Sequence, residues 1–562
     1  TISSHGKQEG GQITITSETG NIDTSSGNFL AHYSGGGDAG EITMEAPQGN
    51  ITTNDIYSYA DGDGGQITIK AGNNINIKVN SNIISASEPP NEGNSDKQGQ
   101  GGDITLEAGN NINTTTAKIY SGANEGDTGK IDITADNAIE TGKIDLASGF
   151  VRQQEKVNEN FTIIPKPEGE ATQGKAGDIR LRSRNSTIDT TGGTINSRSP
   201  DGTGNIIINA KGNITTGKLE ASALNPDKPT TGGDVNITSE QGEINATQNI
   251  ETFSEQGTAG DINITAVGQI QTNNILSQGM ERGGNIQVKS KRGEIQSRGN
   301  IDSYSEQGRG GSVKVDAPEG VNLANVSSYG MTESGDLIIQ SQQAKVNTGN
   351  VTTEATRGKS GRIVIKGTEV GTGNLSSIST TSAGEIKVTA TDGSIKTYNV
   401  EIRSDGTIGV LSLKATEDIN TGDQTAIAGE GDAFIENDAG DDLTTGDQTA
   451  ITGEGNAFID NHAGDDMTTG DQTAITGEGD AFIDNDAGDH LTTGEKTVIT
   501  GEGDAFIDND AGDDLTTGEK TVITGNVTAT VTNFIQNDGV NQNLDPNSAN
   551  SNNNVPNNKV LN

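Results

Sequence analysis

The chain contains no cysteine and no tryptophan, and only 11 prolines and 9 phenylalanines in 562 residues. Without cysteine there is no disulfide and no thiolate metal site. Aromatic residues make up 3% and hydrophobic residues 29%, too little apolar surface for the cores of several ordinary globular domains. No run of 18 apolar residues occurs, so no transmembrane helix is expected. Cationic side chains are scarce as well. Lys and Arg number 37 against 79 Asp and Glu, a formal net charge of −42, which disfavours nucleic acid and anionic membrane surfaces as partners. Neither an initiator methionine nor a leader-like segment opens the chain at Thr1, so it reads as a mature or excised part of something longer.

What is present is repetition. Thr-Gly-Asp/Glu-x-Thr begins at Thr421, Thr445, Thr469, Thr493 and Thr517, 24 residues apart each time. Between the starts run Gly-Glu-Gly-Asp/Asn-Ala-Phe-Ile and Ala-Gly-Asp. A looser unit fills the rest: Gly11-Gln12-Ile13-Thr14-Ile15, Gly102-Asp103-Ile104-Thr105-Leu106, Gly233-Asp234-Val235, Gly260-Asp261-Ile262, Gly284-Asn285-Ile286. A fixed period in the twenties marks one structural unit stacked on itself. Within each unit about three runs alternate apolar and polar residues, the signature of strands, and no helical periodicity appears. Gly, Asn and Asp sit between the runs, where they suit corners with positive φ. The expected fold is all-β: a right-handed parallel β-helix, with three short strands per coil of about 24–28 residues. Ile, Val, Leu and Phe are expected inward, and Thr, Asn, Gln and Ser outward.

The organisation expected is a β-helix of irregular coil length over 1–415, an array of near-identical 24-residue acidic repeats over 416–530, and an Asn/Pro-rich disordered tail or linker over 531–562. In the array, Ile427, Ile451, Ile475, Ile499 and Ile523 are expected inward. Phe434, Phe458, Phe482 and Phe506 are each followed directly by Ile, so one of each pair must pack outside or the strand must bend. Ser85 to Gln100 and Phe150 to Lys175 break the rhythm with prolines and polar residues, and are expected to leave the coil as loops. Loops on a rigid scaffold are candidates for recognition.

The segment Gly101-Gly102-Asp103-Ile104-Thr105-Leu106-Glu107-Ala108-Gly109-Asn110-Asn111-Ile112 resembles the shaft repeats of filamentous haemagglutinin-type exoproteins, especially large cyanobacterial ones. The resemblance runs nearly to Gly525. It implies an adhesin-like shaft, secreted or held at the cell surface of a Gram-negative-type bacterium. It also implies export through an outer-membrane partner by two-partner secretion, with an extracellular glycan or surface protein as ligand. The Asn-Pro-Asn-Gly-type signals of the family's secretion domain are not seen in this sequence.

The array is the most unusual chemical feature, with 26 acidic residues against 2 lysines between Thr421 and Gly525. A period of 24 stacks like on like. Carboxylates one coil apart, about 4.8 Å, repel by roughly 0.9 kcal/mol at water's dielectric. One relief is Ca²⁺, which prefers several carboxylate oxygens; the candidate ligands are Glu436, Asp438, Asp441, Asp460, Asp465, Asp484, Asp486, Asp489, Asp508, Asp510 and Asp513. The alternative is a solvated acidic face screened by salt, with no cofactor. Asn456, His462 and His490 then dilute the charge. The four histidines, His5, His32, His462 and His490, share no motif spacing and read as isolated surface residues. No nucleophile elbow or phosphate loop occurs, and no enzymatic activity is expected. A polysaccharide-active β-helix enzyme remains the alternative, with Arg180, Arg182 and Arg184 on one face, although near-identical coils offer like residues in rows rather than unlike residues converging. The paired threonines from Thr444-Thr445 to Thr516-Thr517 are expected to form outward rows.

Overall fold

The computed structural model describes residues 1–562 except 7–8, 34–36, 88–98, 124–125, 149, 154–161, 166–172, 519, 526–527, 538–539 and 544–562. It divides into two compact units, Thr1–Glu306 and Gln307–Asn562. Each is a parallel β-solenoid, and no helix occurs among the described residues.

One coil of the first unit runs Ile262–Ala266, Ile270–Thr272 and Ile275–Gly279; the next runs Ile286–Ser290, Ile295–Ser297 and Ile301–Ser305. Each strand pairs in parallel with its counterpart one coil away, Ile262 on Ile286, Ile270 on Ile295 and Ile275 on Ile301. Alternation sends every second residue inward, so equivalent apolar side chains stack. Ile104, Ile131, Ile179, Ile206, Val235 and Ile262 form one such column and are wholly buried. Burying each is worth roughly 1.5–3 kcal/mol. A chain poor in apolar residues can fold this way because each coil completes its neighbour's core.

The Gly-Asx-Ile unit has a structural reason at each position. The Asx side chain accepts the backbone N–H of its counterpart one coil on: Asn205 N–H donates to Asp178 Oδ1 at 2.9 Å, Asp234 N–H to Asn205 Oδ1 at 2.9 Å, and Asp261 N–H to Asp234 Oδ1 at 2.8 Å. The glycine before it meets the glycine of the coil below. A Cβ on Gly177 would lie 2.5 Å from the Gly129 carbonyl oxygen. This corrects the expectation of positive φ at the corners. Among the described residues only Asn80, Gly174, Gly202, Gly320, Gly393 and Gly431 have positive φ, so close approach is what excludes side chains elsewhere.

The expectation that Ser and Thr face outward is also corrected. Ser58, Ser85, Ser121, Ser277, Ser328 and Thr353 are buried at the middle of the third strand of their coils. Ser277 Oγ donates to Gly260 O at 2.9 Å and accepts from Gly284 N–H at 2.8 Å. Ser328 does the same between Gly311 O (2.8 Å) and Gly335 N–H (2.7 Å). These hydroxyls satisfy the corner backbone groups that the parallel ladder leaves unpaired.

In the second unit, coils such as Leu337–Ser341, Val346–Thr348 and Val351–Ala355 keep the same plan, and the expected 415/416 boundary falls inside this unit. Strands Ala433–Ala439, Ala457–Ala463, Ala481–Ala487 and Ala505–Ala511 pair residue for residue at an offset of 24. Ile435, Ile459, Ile483 and Ile507 point inward and the adjoining phenylalanines outward. Of the expected inward isoleucines, Ile451, Ile475 and Ile499 are buried, whereas Ile427 and Ile523 are only half-buried. Ile427 fails because the first copy is out of step. Its Ala426 lies opposite Ile451, and a one-residue slip reverses every side chain in a strand. Gln424 thereby turns inward.

The threonine rows split in the same way. Thr444 and Thr468 are exposed, while Thr445 and Thr469 are buried and accept the N–H of Gly470 (3.0 Å) and Gly494 (3.3 Å). Strand Ala529–Asn537 continues the ladder and turns back antiparallel onto Val540–Asn543; the rest of the expected tail lies outside the described residues.

Candidate functional site

The outer face of the Ala433–Ala511 strands carries three parallel columns, fixed by the two-residue alternation. Phe434, Phe458, Phe482 and Phe506 form the first, half-buried, with ring centroids 5.0, 5.1 and 5.1 Å apart. Two residues on, Glu436, Asp460, Asp484 and Asp508 form the second, and Asp438, His462, Asp486 and Asp510 the third. At the following corner Asp441, Asp465, Asp489 and Asp513 stack through backbone bonds of 3.1, 3.0 and 2.8 Å. All 11 candidate ligands therefore fall in ordered columns, with like residues adjacent. The columns bring carboxylates into rows, and among the described residues no group of three or more acidic or histidine side chains is arranged to hold a metal ion.

Electrostatics follow from the stacking. Partial desolvation, then Asp460 and Asp508 on either side, push the Asp484 carboxyl above its ordinary range. Desolvation and Glu436 do so for Asp460, with His462 opposing. Desolvation and the Asp486 and Asp508 charges do so for Asp510, and desolvation with Asp489 and Asp441 for Asp465. The array histidines are not isolated. His462 Nδ1 lies 3.2 Å from Asp486 Oδ2, and His490 Nδ1 lies 3.6 Å from Asp514 Oδ2.

Beneath the acidic face runs a column that sequence reading missed. Asn437, Asn461, Asn485 and Asn509 are buried, and each donates Nδ2–H to the Oδ1 of the next copy, at 2.8, 2.9, 2.9 and, onto Asn533, 2.9 Å. The inward-turned Gln424 closes the first end with a reciprocal amide pair to Asn437, 2.9 and 3.0 Å. The available signal was an Asn repeated in every copy between two outward polar residues, at a position the alternation sends inward.

In the first unit the outward positions of one face are buried rather than solvated. Tyr59, Ile84, Ala86, Tyr120 and Ala147 cluster there, with Leu30 and Tyr57 packed against them. Burial, then the Asp55 charge, pushes the Tyr57 phenol up to about 12. Lys118 Nζ sits 5.0 Å from the Tyr120 ring centre, a cation–π contact. His5 and His32 stack at 5.4 Å, and His32 meets Tyr59 edge-on at 4.6 Å, which corrects their reading as isolated.

The two expected loops are described only in part. Ser85 to Ser87 belong to the strand Asn82–Ser87, and 88–98 lie outside the described residues. Phe150–Gln153 pairs antiparallel with Thr162–Pro165, so the second insertion carries a hairpin. Arg180 and Arg182 are exposed on the outer side of Ile179–Ser183. Arg180 pairs with Asp178 at 2.8 Å and Arg184 with Asp136 at 2.7 Å, an ordinary charged strand face.

These features define the class of protein as a parallel β-solenoid whose coils are locked by internal Asx, Ser and Asn ladders. Compared with protein-family models, curated proteins and solved structures, the chain matches none. No helix among the described residues is long and apolar enough to cross a membrane.

Proposed function

We propose that the chain is the structural and adhesive shaft of a secreted or cell-surface protein of the filamentous haemagglutinin type. The observation that supports the reading is the register: the strands from Ala433 to Ala511 pair residue for residue at an offset of 24 in successive copies. Such a unit extends reach without new chemistry and repeats weak outward contacts. Export by two-partner secretion and residence outside a Gram-negative-type cell belong to the same proposal and rest on the Gly101–Ile112 resemblance. The test is display of the full chain on a bacterial surface, followed by counting of adherent cells or particles. Adhesion that falls when coils are removed supports the reading; adhesion and surface spacing that ignore coil number refute it.

For the acidic array we propose loosely held screening cations rather than dedicated calcium cages, because the carboxylates run in rows. Melting curves in calcium and in equimolar-charge sodium separate the two. A calcium-specific rise at micromolar concentration would favour cages.

A further inference from the structure

We propose that Tyr398 and the groove beside it form a binding site for a neutral saccharide. The starting point is a local rule that Tyr398 breaks with a large side chain. In the second unit the corner after the short strand repeats as Thr-Gly-Asx: Thr348-Gly349-Asn350, Thr372-Gly373-Asn374, Thr421-Gly422-Asp423 and Thr445-Gly446-Asp447. At the glycine position two corners depart from it, Leu323-Ala324-Asn325 by a single methyl group and Thr397-Tyr398-Asn399 by a whole phenol. The glycines stack closely; a Cβ on Gly373 would meet Asn350 Oδ1 at 2.5 Å. Placing a side chain in that column has a visible cost. The Tyr398 N–H to Gly373 O bond is 3.4 Å, against 3.0 Å for Gly373 N–H to Gly349 O and 3.1 Å for Gly422 N–H to Tyr398 O. A breach of local consistency without a packing return is the mark of a functional position.

There is no packing return. Tyr398 is 68% exposed, the most exposed large apolar side chain among the described residues. Its column neighbours are glycines on both sides, so nothing in its own column stacks on either face of the ring. Alongside lies an open groove of about 590 Å³. Gly371 makes its notch, lying between Asn347 one coil below and Lys396 one coil above; Asn347 Oδ1 would be 2.8 Å from any Cβ at Gly371. The side chains of Asn347, Lys396 and Tyr398 have no hydrogen-bond or ion-pair partner among the described residues.

The chemistry converges on a sugar. An aromatic plate with two rotatable bonds offers apolar area at low entropic cost. Around it stand an amide that donates and accepts, an ammonium with three donors and a phenol that does both, a set matched to the vicinal hydroxyls of a pyranose. The net charge of −42 opposes a polyanionic glycan, so the ligand class is neutral. This site stands apart from the shaft proposal; a pure spacer would keep it.

The test is titration of the full chain with lactose, cellobiose and maltose, read by saturation-transfer NMR and calorimetry. Binding of at least one at millimolar affinity is expected. Tyr398→Gly restores the motif of every neighbouring coil and therefore folds; it should weaken binding at least tenfold, whereas Tyr398→Trp retains it. Lys396→Gln should weaken it several-fold. Equal binding by parent and Tyr398→Gly, absence of binding by all three sugars, or binding of a glucuronate disaccharide in their place would each overturn the proposal. Cell adhesion is not a readout of this experiment, so its failure and that of the shaft reading remain distinguishable.

Discussion

Asn485 is the sharpest place to test whether the array is held by its polar spine. It is 4% exposed, accepts from Asn461 Nδ2 at 2.9 Å and donates to Asn509 Oδ1 at 2.9 Å. Asn485→Ala removes both bonds and orphans the buried Asn461 donor and the buried Asn509 acceptor. Each orphan costs about 1–3 kcal/mol, so the expected loss is about 2–6 kcal/mol. Asn485→Leu fills the volume yet orphans the same two groups, and should cost as much. Thr476→Ala, exposed in the same copy, is the control and should stay within about 0.5 kcal/mol. Solenoids need not unfold in one step, so the assay is amide hydrogen exchange across 457–511 in the full chain, alongside urea melts. Loss of protection centred on the third copy and reaching the second and fourth is expected. If Asn485→Leu is neutral, the amides are tolerated passengers and the account of the array as an asparagine-pinned stack is wrong.

Acidification should affect the two units in opposite directions. Folded Asp460, Asp484 and Asp510 titrate above the ordinary value of 3.8; the folded array therefore binds more protons than the unfolded chain in that window and gains stability as pH falls through it towards 3.8. Glu220 is desolvated, yet its Arg198 (2.7 Å) and Lys218 (3.0 Å) partners hold it below 4.5, so coils around it lose stability as pH drops under 4.5; exchange rates at pH 7, 5 and 4 read both. Gly177→Ala places a Cβ 2.5 Å from Gly129 O and should cost about 1–3 kcal/mol through forced backbone shifts, seen as a lower melting temperature. Deleting residues 457–480 removes one whole copy and leaves every register intact, so the shortened chain should keep its circular dichroism and lose about 4.8 Å of coil rise by small-angle scattering.

The period and the two-residue alternation made the architecture legible: Ile104, Ile131 and Ile262 could be assigned inward before any coordinates. What stayed hidden depends on distances across coils. Nothing in Gly-Asp-Ile says that the aspartate caps an N–H 27 residues away, as Asp178 does for Asn205, or that the glycine is required by a carbonyl beneath it. The slip at Gln424 could not be read because its copy is identical to the next from Thr421 to Ile427; the preceding coil, in which Val400 lies opposite Gln424, sets the phase. Of the candidate ligands, the columns were legible from the period, while the geometry within a column was not. Tyr398 was legible in principle, since Thr-Tyr-Asn puts an aromatic ring where the adjoining coils carry Thr-Gly-Asx.

The same exact stacking has opposite consequences on the two sides of one strand. Inward, asparagine on asparagine converts repetition into a continuous chain of amide bonds, each buried and therefore strong. Outward, acid on acid converts it into repulsion, but in water, where each neighbour pair is worth under about 1 kcal/mol and salt screens it. One buried amide bond per copy does not offset several acidic columns alone; screening by salt and the buried Ile435, Ile459, Ile483 and Ile507 core stabilise the strict repeat beside it. The substitutions that change charge fall on the exposed side, and the buried side admits only an apolar exchange, Met467 for the leucine of the other copies. His462 replaces an aspartate in the third column and faces Asp486 at 3.2 Å; His490 faces Asp514; Asn456 stands where the other copies carry Asp432, Asp480 and Asp504 and still accepts the Asp480 N–H at 2.8 Å. The inward asparagines show no substitution in any of the four copies from Asn437 to Asn509. Charge is lost only on the face where its loss relieves repulsion, and the asparagine column, where a lost amide would orphan two others, does not vary.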